Sequence, residues 1–395
     1  MLGYVSVMES ISTPSPLYLI VHSDHPLDPV GPNSGAEMAT LNHARYIAAT
    51  GRRVCLAARL KQPISADRGV HFIDLGASYD IERALDWADT QGTYVLLAAG
   101  KALSIMLSRR RERCLRRILI THDRCAGDSG LKPEVLDVMC DGIVCVSHAQ
   151  KEKLVSEGAP EHKMTVVHNG VDLSIFNPSA PSKHHPHRLV FAGALVPDKG
   201  LHLLIPAFAD LRAKYPDLEL EVFGSSSLWS RGDYLNTEQL AEQLPGLIFH
   251  GKRSQYEIAE GFRRSGICVI PSIWFDPYPL ISLEAQACGT PVVAFRMGGL
   301  PEGILDGKTG VVVNEVSPQA LTHTLDKLLS DPHKLFDMSA TAASNAAIAF
   351  RWETVVEKII ALCEPQKESA VLRVPIALKS SEAYVKGATG TGNPS

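Results

Sequence analysis

The chain has no run of 18 apolar residues, no C-x-x-C pair, no G-x-G-x-x-G fingerprint and no excess of positive charge. Each absence removes a class of protein. Without a long apolar run, and without a charged n-region followed by an apolar h-region, neither a membrane span nor a secretory leader is expected. The eight cysteines (55, 114, 125, 140, 145, 268, 288 and 363) are scattered, and several fall inside predicted strands. They read as small buried side chains in a reducing, cytoplasmic setting, not as a disulfide frame. Gly31-Pro32-Asn33-Ser34-Gly35 does not match the dinucleotide fingerprint, which argues against a nicotinamide enzyme. A formal charge of −4 and a pI near 6.4 supply no basic field for nucleic acid. His184-His185-Pro186-His187 has no cysteine or acidic partner at ligand spacing, so no metal is expected there.

What is present is enough apolar material for two cores, 45% of 395 residues. Strand and helix patterns alternate. Strands are predicted near Leu17–His22, Arg53–Ala58, Val70–Leu75, Thr93–Ala98, Arg117–Thr121, Gly142–Val146 and Met164–Val167. Ser34 and Glu37 form a capping box, opening a helix that carries Met38, Leu41, Ala44 and Ala48 on one face. The pattern breaks at Asn177–His187, a polar, proline-containing stretch suited to a linker, and resumes from Arg188. Strands follow at Leu189–Ala192, Leu218–Phe223, Leu247–His250, Ile267–Ile270 and Val292–Phe295, with Ser317 and Pro318 opening a later helix. Strand–helix alternation at this interval predicts two doubly wound, Rossmann-like α/β domains facing across a cleft. The expected divisions are a disordered leader (1–15), a first domain (16–176), the linker (177–187), a second domain (188–350), a closing helix (351–365) and a disordered tail (366–395).

The most informative stretch is Pro271–Glu302. Pro279 suits a first helical position, Leu280, Ile281, Leu283, Ala287 and Cys288 form an apolar face, and Gly289 with Pro291 stops the helix. Asp276 and Glu284 flank the helix start. Free N–H groups beside two acids make a seat for a phosphorylated, hydroxyl-rich ligand.

Asp276 through Pro291 resembles the E-x7-E segment of the retaining glycosyltransferases of family 4, which have the two-domain GT-B fold. Gly298-Gly299-Leu300-Pro301-Glu302 and Asp306-Gly307-Lys308-Thr309-Gly310 are similar to that family's GG-x-PE and DG-x-TG continuation. His168-Asn169-Gly170-Val171-Asp172 with Phe176 resembles its NGVD segment, and Gly193 to Lys199-Gly200 its phosphate-binding loop. Phe350-Arg351-Trp352 resembles the start of its closing helix.

The resemblance implies a metal-independent retaining transfer of a hexose-type sugar from a nucleotide diphosphate-sugar to an acceptor hydroxyl, with no cofactor beyond that co-substrate. The acceptor would be a glycan, a lipid-linked sugar or a small molecule. Lys199 and the N–H groups of Leu280 and Ile281 would meet the diphosphate charge. Glu284 would accept from the ribose diol, Asp276 would hold sugar hydroxyls, and His122 would contact the donor sugar. Gly35 would let backbone approach the phosphate from across the cleft, Gly193 opens the phosphate loop, and main-chain groups at Arg253 would meet the base.

The chain departs from the pattern at three places: Asp276 stands for the commoner Glu, Pro279 for a glycine, and Ala194 for the arginine of the phosphate loop. Losing that cation costs on the order of 1.5–3 kcal/mol if nothing replaces it. Lys252 and Arg253 are candidate replacements. Two other functions share the fold: a nucleotide-sugar 2-epimerase, and a degenerate partner protein that binds nucleotide-sugar or glycan without turnover. Arg109, Arg110, Arg111 and Arg113, with Arg116 and Arg117, form a basic cluster on a predicted helix. It suits either a solvated face or a peripheral contact with an anionic inner-membrane surface.

Overall fold

A computed structural model describes residues 15–364, apart from 32, 123–129, 131, 179–184, 226–239 and 241. The expected leader and tail, the middle of the linker with His184, and Asp123 and Cys125 lie outside the described residues.

The first half runs β1 (Leu17–His22), α1 (Gly35–Ala49), β2 (Val54–Ala58), β3 (Ala66–Asp67), β4 (Val70–Asp74), α2 (Ile81–Thr90), β5 (Tyr94–Ala99) and α3 (Leu103–Leu107). It continues through β6 (Cys114–Thr121), α4 (Pro133–Met139), β7 (Gly142–Cys145), α5 (His148–Ser156) and β8 (Met164–Val166). Its sheet has the order β3-β4-β2-β1-β5-β6-β7-β8, parallel except for the short β3 edge.

The second half contains β9 (His185–Ala192), α6 (Leu201–Lys214), β10 (Glu219–Phe223), β11 (Leu247–Gly251), α7 (Gln255–Arg264), β12 (Ser265–Ile270), α8 (Leu280–Ala287), β13 (Val292–Phe295) and β14 (Gly310–Val313). Three helices follow: α9 (Pro318–Leu329), α10 (Pro332–Ala349) and α11 (Trp352–Cys363). The second sheet is ordered β11-β10-β9-β12-β13-β14, every pair parallel. Helices cover both sheets, which is why strands such as LYLIVH and SGICVI are buried along their whole length. The seven described cysteines are free and buried.

Three local expectations are corrected. His185–His187, read as linker, already belongs to β9, because Ser265 of β12 pairs with His185. Pro279 is the N-cap of α8, not its first helical residue, with ψ 124° keeping it extended. The basic cluster does not sit on a helix. The chain makes a single 3-10 turn at Ser108–Arg110 and enters β6 at Cys114.

The closing helix α11 packs back on the first half. Trp352 stands edge-on to His43 of α1 at 5.0 Å and stacks on Tyr46 at 6.0 Å. Val171 N–H donates to the Phe350 carbonyl at 2.8 Å. One apolar cluster therefore runs from Tyr18 and Ile20 through Phe176 and Trp352 to Leu283 and Val292.

Candidate active site

In parallel sheets, loops at the carboxyl ends of the strands gather at one edge. The candidate residues lie on those loops. Gly35 begins α1 after the β1 exit, His122 follows β6, Gly193 and Lys199 follow β9, Arg253 follows β11, and Asp276 and α8 follow β12.

The second-half loops are stitched together by backbone. Ile273 N–H donates to the Asp198 carbonyl at 3.0 Å, and Ser272 Oγ to the same oxygen at 3.2 Å. Gly200, at φ 73°, lies so close to the Pro271 carbonyl that a Cβ there would come within 1.7 Å of it. The 197–200 turn is thus pressed against the β12 exit. One result is an ion pair between Lys199 Nζ and Asp276 Oδ2 at 2.7 Å, with side chains 25% and 14% exposed. A second close approach fixes Asp276 from the other side. Gly299 N–H donates to the Asp276 carbonyl at 2.8 Å, and a Cβ at Gly298 (φ 52°) would meet that carbonyl at 2.3 Å.

Helix α8 starts beside this pair. Its Pro279 N-cap has no side-chain cap, which leaves the Leu280 and Ile281 N–H groups as the positive end of the helix. Glu284 stands one turn along. Burial pushes its carboxyl up to about 8 from 4.5, and among the described residues no side-chain hydrogen bond reaches it. An acid in that state has lost water without gaining a partner, which is what a hydroxyl-bearing ligand supplies.

His122 directly follows β6 in the first half. Burial first, and then His22, hold its imidazole down to about 4 against the opposing pull of Glu37. Its Nε2 and that of His22 have no partner among the described residues. Burial likewise lowers His22 to about 4, so both rings are neutral near pH 7, and each has its Nε2 left for a hydroxyl group while His22 Nδ1 is held by Thr40 Oγ1 at 3.2 Å. Space is open at Gly35, where an added Cβ meets nothing within 4 Å.

The Arg253 side chain has its own partner, which leaves its main-chain groups as the candidate contact for a base. The Arg253 guanidinium stands 3.6 Å from Glu257 and is 45% exposed, at the start of α7. Ala194 is buried at 6% exposure, so its methyl faces packing and offers no charge. The basic cluster is dispersed. Arg111 is caged by Glu82, Asp86 (2.6 Å) and Asp89 (2.7 Å), and Arg117 is buried with its Nη2 on the Ser108 carbonyl at 2.9 Å. Arg113 donates to the Asp89 carbonyl. Arg109 and Arg110 stay exposed.

His168 and Glu302, named in the sequence only as parts of the resembling segments, join the two halves together with His148. Glu302 accepts from the His148 and Ala149 N–H groups at the start of α5, both at 2.8 Å, and from His168 Nε2 at 2.9 Å. Burial opposes its ionisation, but His168 and the two N–H groups outweigh burial and hold the carboxyl below its ordinary value. His168 in turn stacks on Tyr278 at 4.7 Å. His22 carried the one visible signal: a polar residue closing an otherwise apolar strand.

Residues 175–346 match the family model described as glycosyl transferases group 1, and residues 33–175 match glycosyltransferase family 4. A D-inositol 3-phosphate glycosyltransferase of Paenarthrobacter aurescens is 34% identical over 223 residues, 53% of this chain and 54% of that one. Its counterpart in Corynebacterium urealyticum is 33% identical over 228 residues, 53% of each chain. The chain spans about half the length of the curated relatives it matches. Among solved structures, Anabaena HepE in complex with UDP-glucose superposes with a TM-score of 0.69 at 18% identity, over 87% of this chain and 98% of that one. A glycosyltransferase from Rickettsia africae gives 0.72 at 17% identity, over 88% and 97%.

Proposed function

The chain belongs to the family 4 glycosyltransferases, with the GT-B fold, and on that premise we propose that it is a metal-independent, retaining hexosyltransferase. The donor is a nucleotide diphosphate-sugar. The first to test is UDP-glucose, the ligand of the Anabaena relative in fold. The acceptor is a hydroxyl on a polyol, and the names of the sequence relatives make a phosphorylated inositol the first choice.

One observation carries the reading. The Lys199–Asp276 pair, the uncapped start of α8 and the unpartnered Glu284 lie along one loop-and-helix unit. In that order they match a diphosphate flanked by its sugar and its ribose. Lys199 and the Leu280 and Ile281 N–H groups stabilise the leaving diphosphate as the glycosidic bond breaks. Glu284 accepts from the ribose diol. Asp276 holds sugar hydroxyls and keeps the Lys199 ammonium aimed at the phosphates. His122, neutral near pH 7, hydrogen-bonds the sugar from the facing loop. Attack from the leaving-group face fits the absence of an assigned covalent nucleophile.

Charge remains short on one side. A diphosphate bearing two to three negative charges meets one lysine and a helix end worth about half a charge. Donor affinity is accordingly modest. Nucleotide release on incubation with UDP-, GDP- and ADP-sugars, with and without inositol phosphate and with EDTA present, tests the proposal. Full activity in Asp276→Ala or Glu284→Ala overturns the site. Tight nucleotide-sugar binding without release under every condition replaces transfer by a binding-only role.

A further inference from the structure

Outside the donor site, the described residues bring three ligand-bearing side chains together from three separate elements. His148 opens α5, His168 follows β8, and Glu302 lies in the 3-10 turn Leu300–Gly303 of the second half. One ligand atom from each falls within 4.8 Å of the others. Two of the three are already oriented by contacts behind them. His168 is stacked on Tyr278 with 25° between the rings, and Glu302 is held by the His148 and Ala149 N–H groups. Metal-binding histidines and carboxylates have this kind of outer support. The third, His148, is exposed, and its ring centroid lies 5.8 Å from that of His168, so its side chain is free to swing inward.

We propose that His148, His168 and Glu302 form a binding site for a zinc-type divalent metal ion at the seam between the two domains. Two imidazoles and one carboxylate are a borderline donor set that zinc takes in four-coordinate form, with water completing the shell. The geometry needs little rearrangement. His168 Nε2 and Glu302 Oε2 are 2.9 Å apart, with the imidazole donating to the carboxylate. A tetrahedral ion with bonds of about 2.05 Å sets its ligands about 3.3 Å apart. The ion therefore replaces that proton with an opening of a few tenths of an ångström. The His168 proton moves to Nδ1, and Glu302 keeps both backbone donors on its remaining lone pairs. Such an ion ties α5 of the first domain to the 300–303 turn of the second. It braces the seam and leaves the diphosphate charge to Lys199.

Cobalt(II) titration of the untagged full chain, read by visible absorption and followed by zinc competition, tests the site. One equivalent is expected to bind with the strong bands of four- or five-coordinate cobalt, and zinc to displace it. His148→Ala, a change at an exposed side chain, is expected to lower the affinity by at least the roughly 10- to 100-fold that even outer-shell changes cost. His185→Ala, in the His-rich β9 start, is expected to leave it unchanged. Wild type that takes up no saturable equivalent, His148→Ala that binds as tightly, or loss of the ion in His185→Ala each overturns the assignment.

Discussion

Glu284→Gln is expected to make the ligand-free protein more stable at alkaline pH while weakening donor binding. Burial raises the folded-state carboxyl from 4.5 to about 8, so the folded state prefers this group protonated. The stability it contributes is then fully present below pH 4.5 and is lost as pH rises through 8. The whole shift converts to an upper bound of about 5 kcal/mol at about 1.36 kcal/mol per pH unit. Glu284 keeps part of its surface exposed to water, and an effect on the order of 2–3 kcal/mol is expected. At about 2.1 cal/mol/K of unfolding entropy per residue, this is a Tm difference of roughly 3 °C. Thermal scans of both proteins at pH 5, 7 and 9 read it directly. The two should melt together at pH 5, with the variant gaining progressively through pH 9. Saturating nucleotide should reverse the order, because the ribose hydroxyls give the carboxylate the donors it lacks. A Tm difference that does not vary with pH, or one that nucleotide leaves untouched, would falsify the assignment of Glu284 to the ribose.

Lys199→Ala removes both the proposed diphosphate cation and the partner of a largely buried Asp276. Turnover is expected to fall about 100- to 1,000-fold, with a stability loss of about 1–3 kcal/mol by denaturant titration; near-normal kcat would remove Lys199 from the site. Ala194→Arg supplies the missing cation, and nucleotide diphosphate affinity measured by calorimetry is expected to rise about 10-fold or more. Unchanged affinity would mean the charge deficit is met elsewhere. Gly298→Ala drives a Cβ toward the Asp276 carbonyl, so kcat should fall with the loop displaced, and wild-type kinetics would show that the loop yields freely. With Arg111 caged by three acids, reversing Arg109 and Arg110 to Glu is expected to leave sedimentation with anionic liposomes unchanged. A lipid-dependent loss would restore the membrane reading.

The sequence by itself determined the plan of two helix-covered parallel sheets, because strands buried on both faces must be apolar throughout and the helices between them must carry one apolar face. It also located α8: the punctuation of Asp276 to Pro291 is local chemistry, and the helix forms there, one residue later than Pro279 had suggested. Boundaries decided by partners across the sheet were not legible. His185–His187 joins a strand only because β12 lies alongside. The arginine run looked like a helical face because the acids that cage Arg111 lie 22 to 29 residues away in the sequence.

The same limit applied to the histidines. The adjacent His184-His185-Pro186-His187 lacks an acidic or cysteine partner at ligand spacing, and no metal is expected there from the sequence. The histidines that the fold does assemble, His148 and His168, meet a carboxylate 134 residues beyond the second of them. Adjacency in sequence fixes only which side chains share a short segment. Tertiary packing decides which ones lose water and which gain partners: burial set the state of Glu284 and His122, and the His168 and backbone N–H partners set that of Glu302.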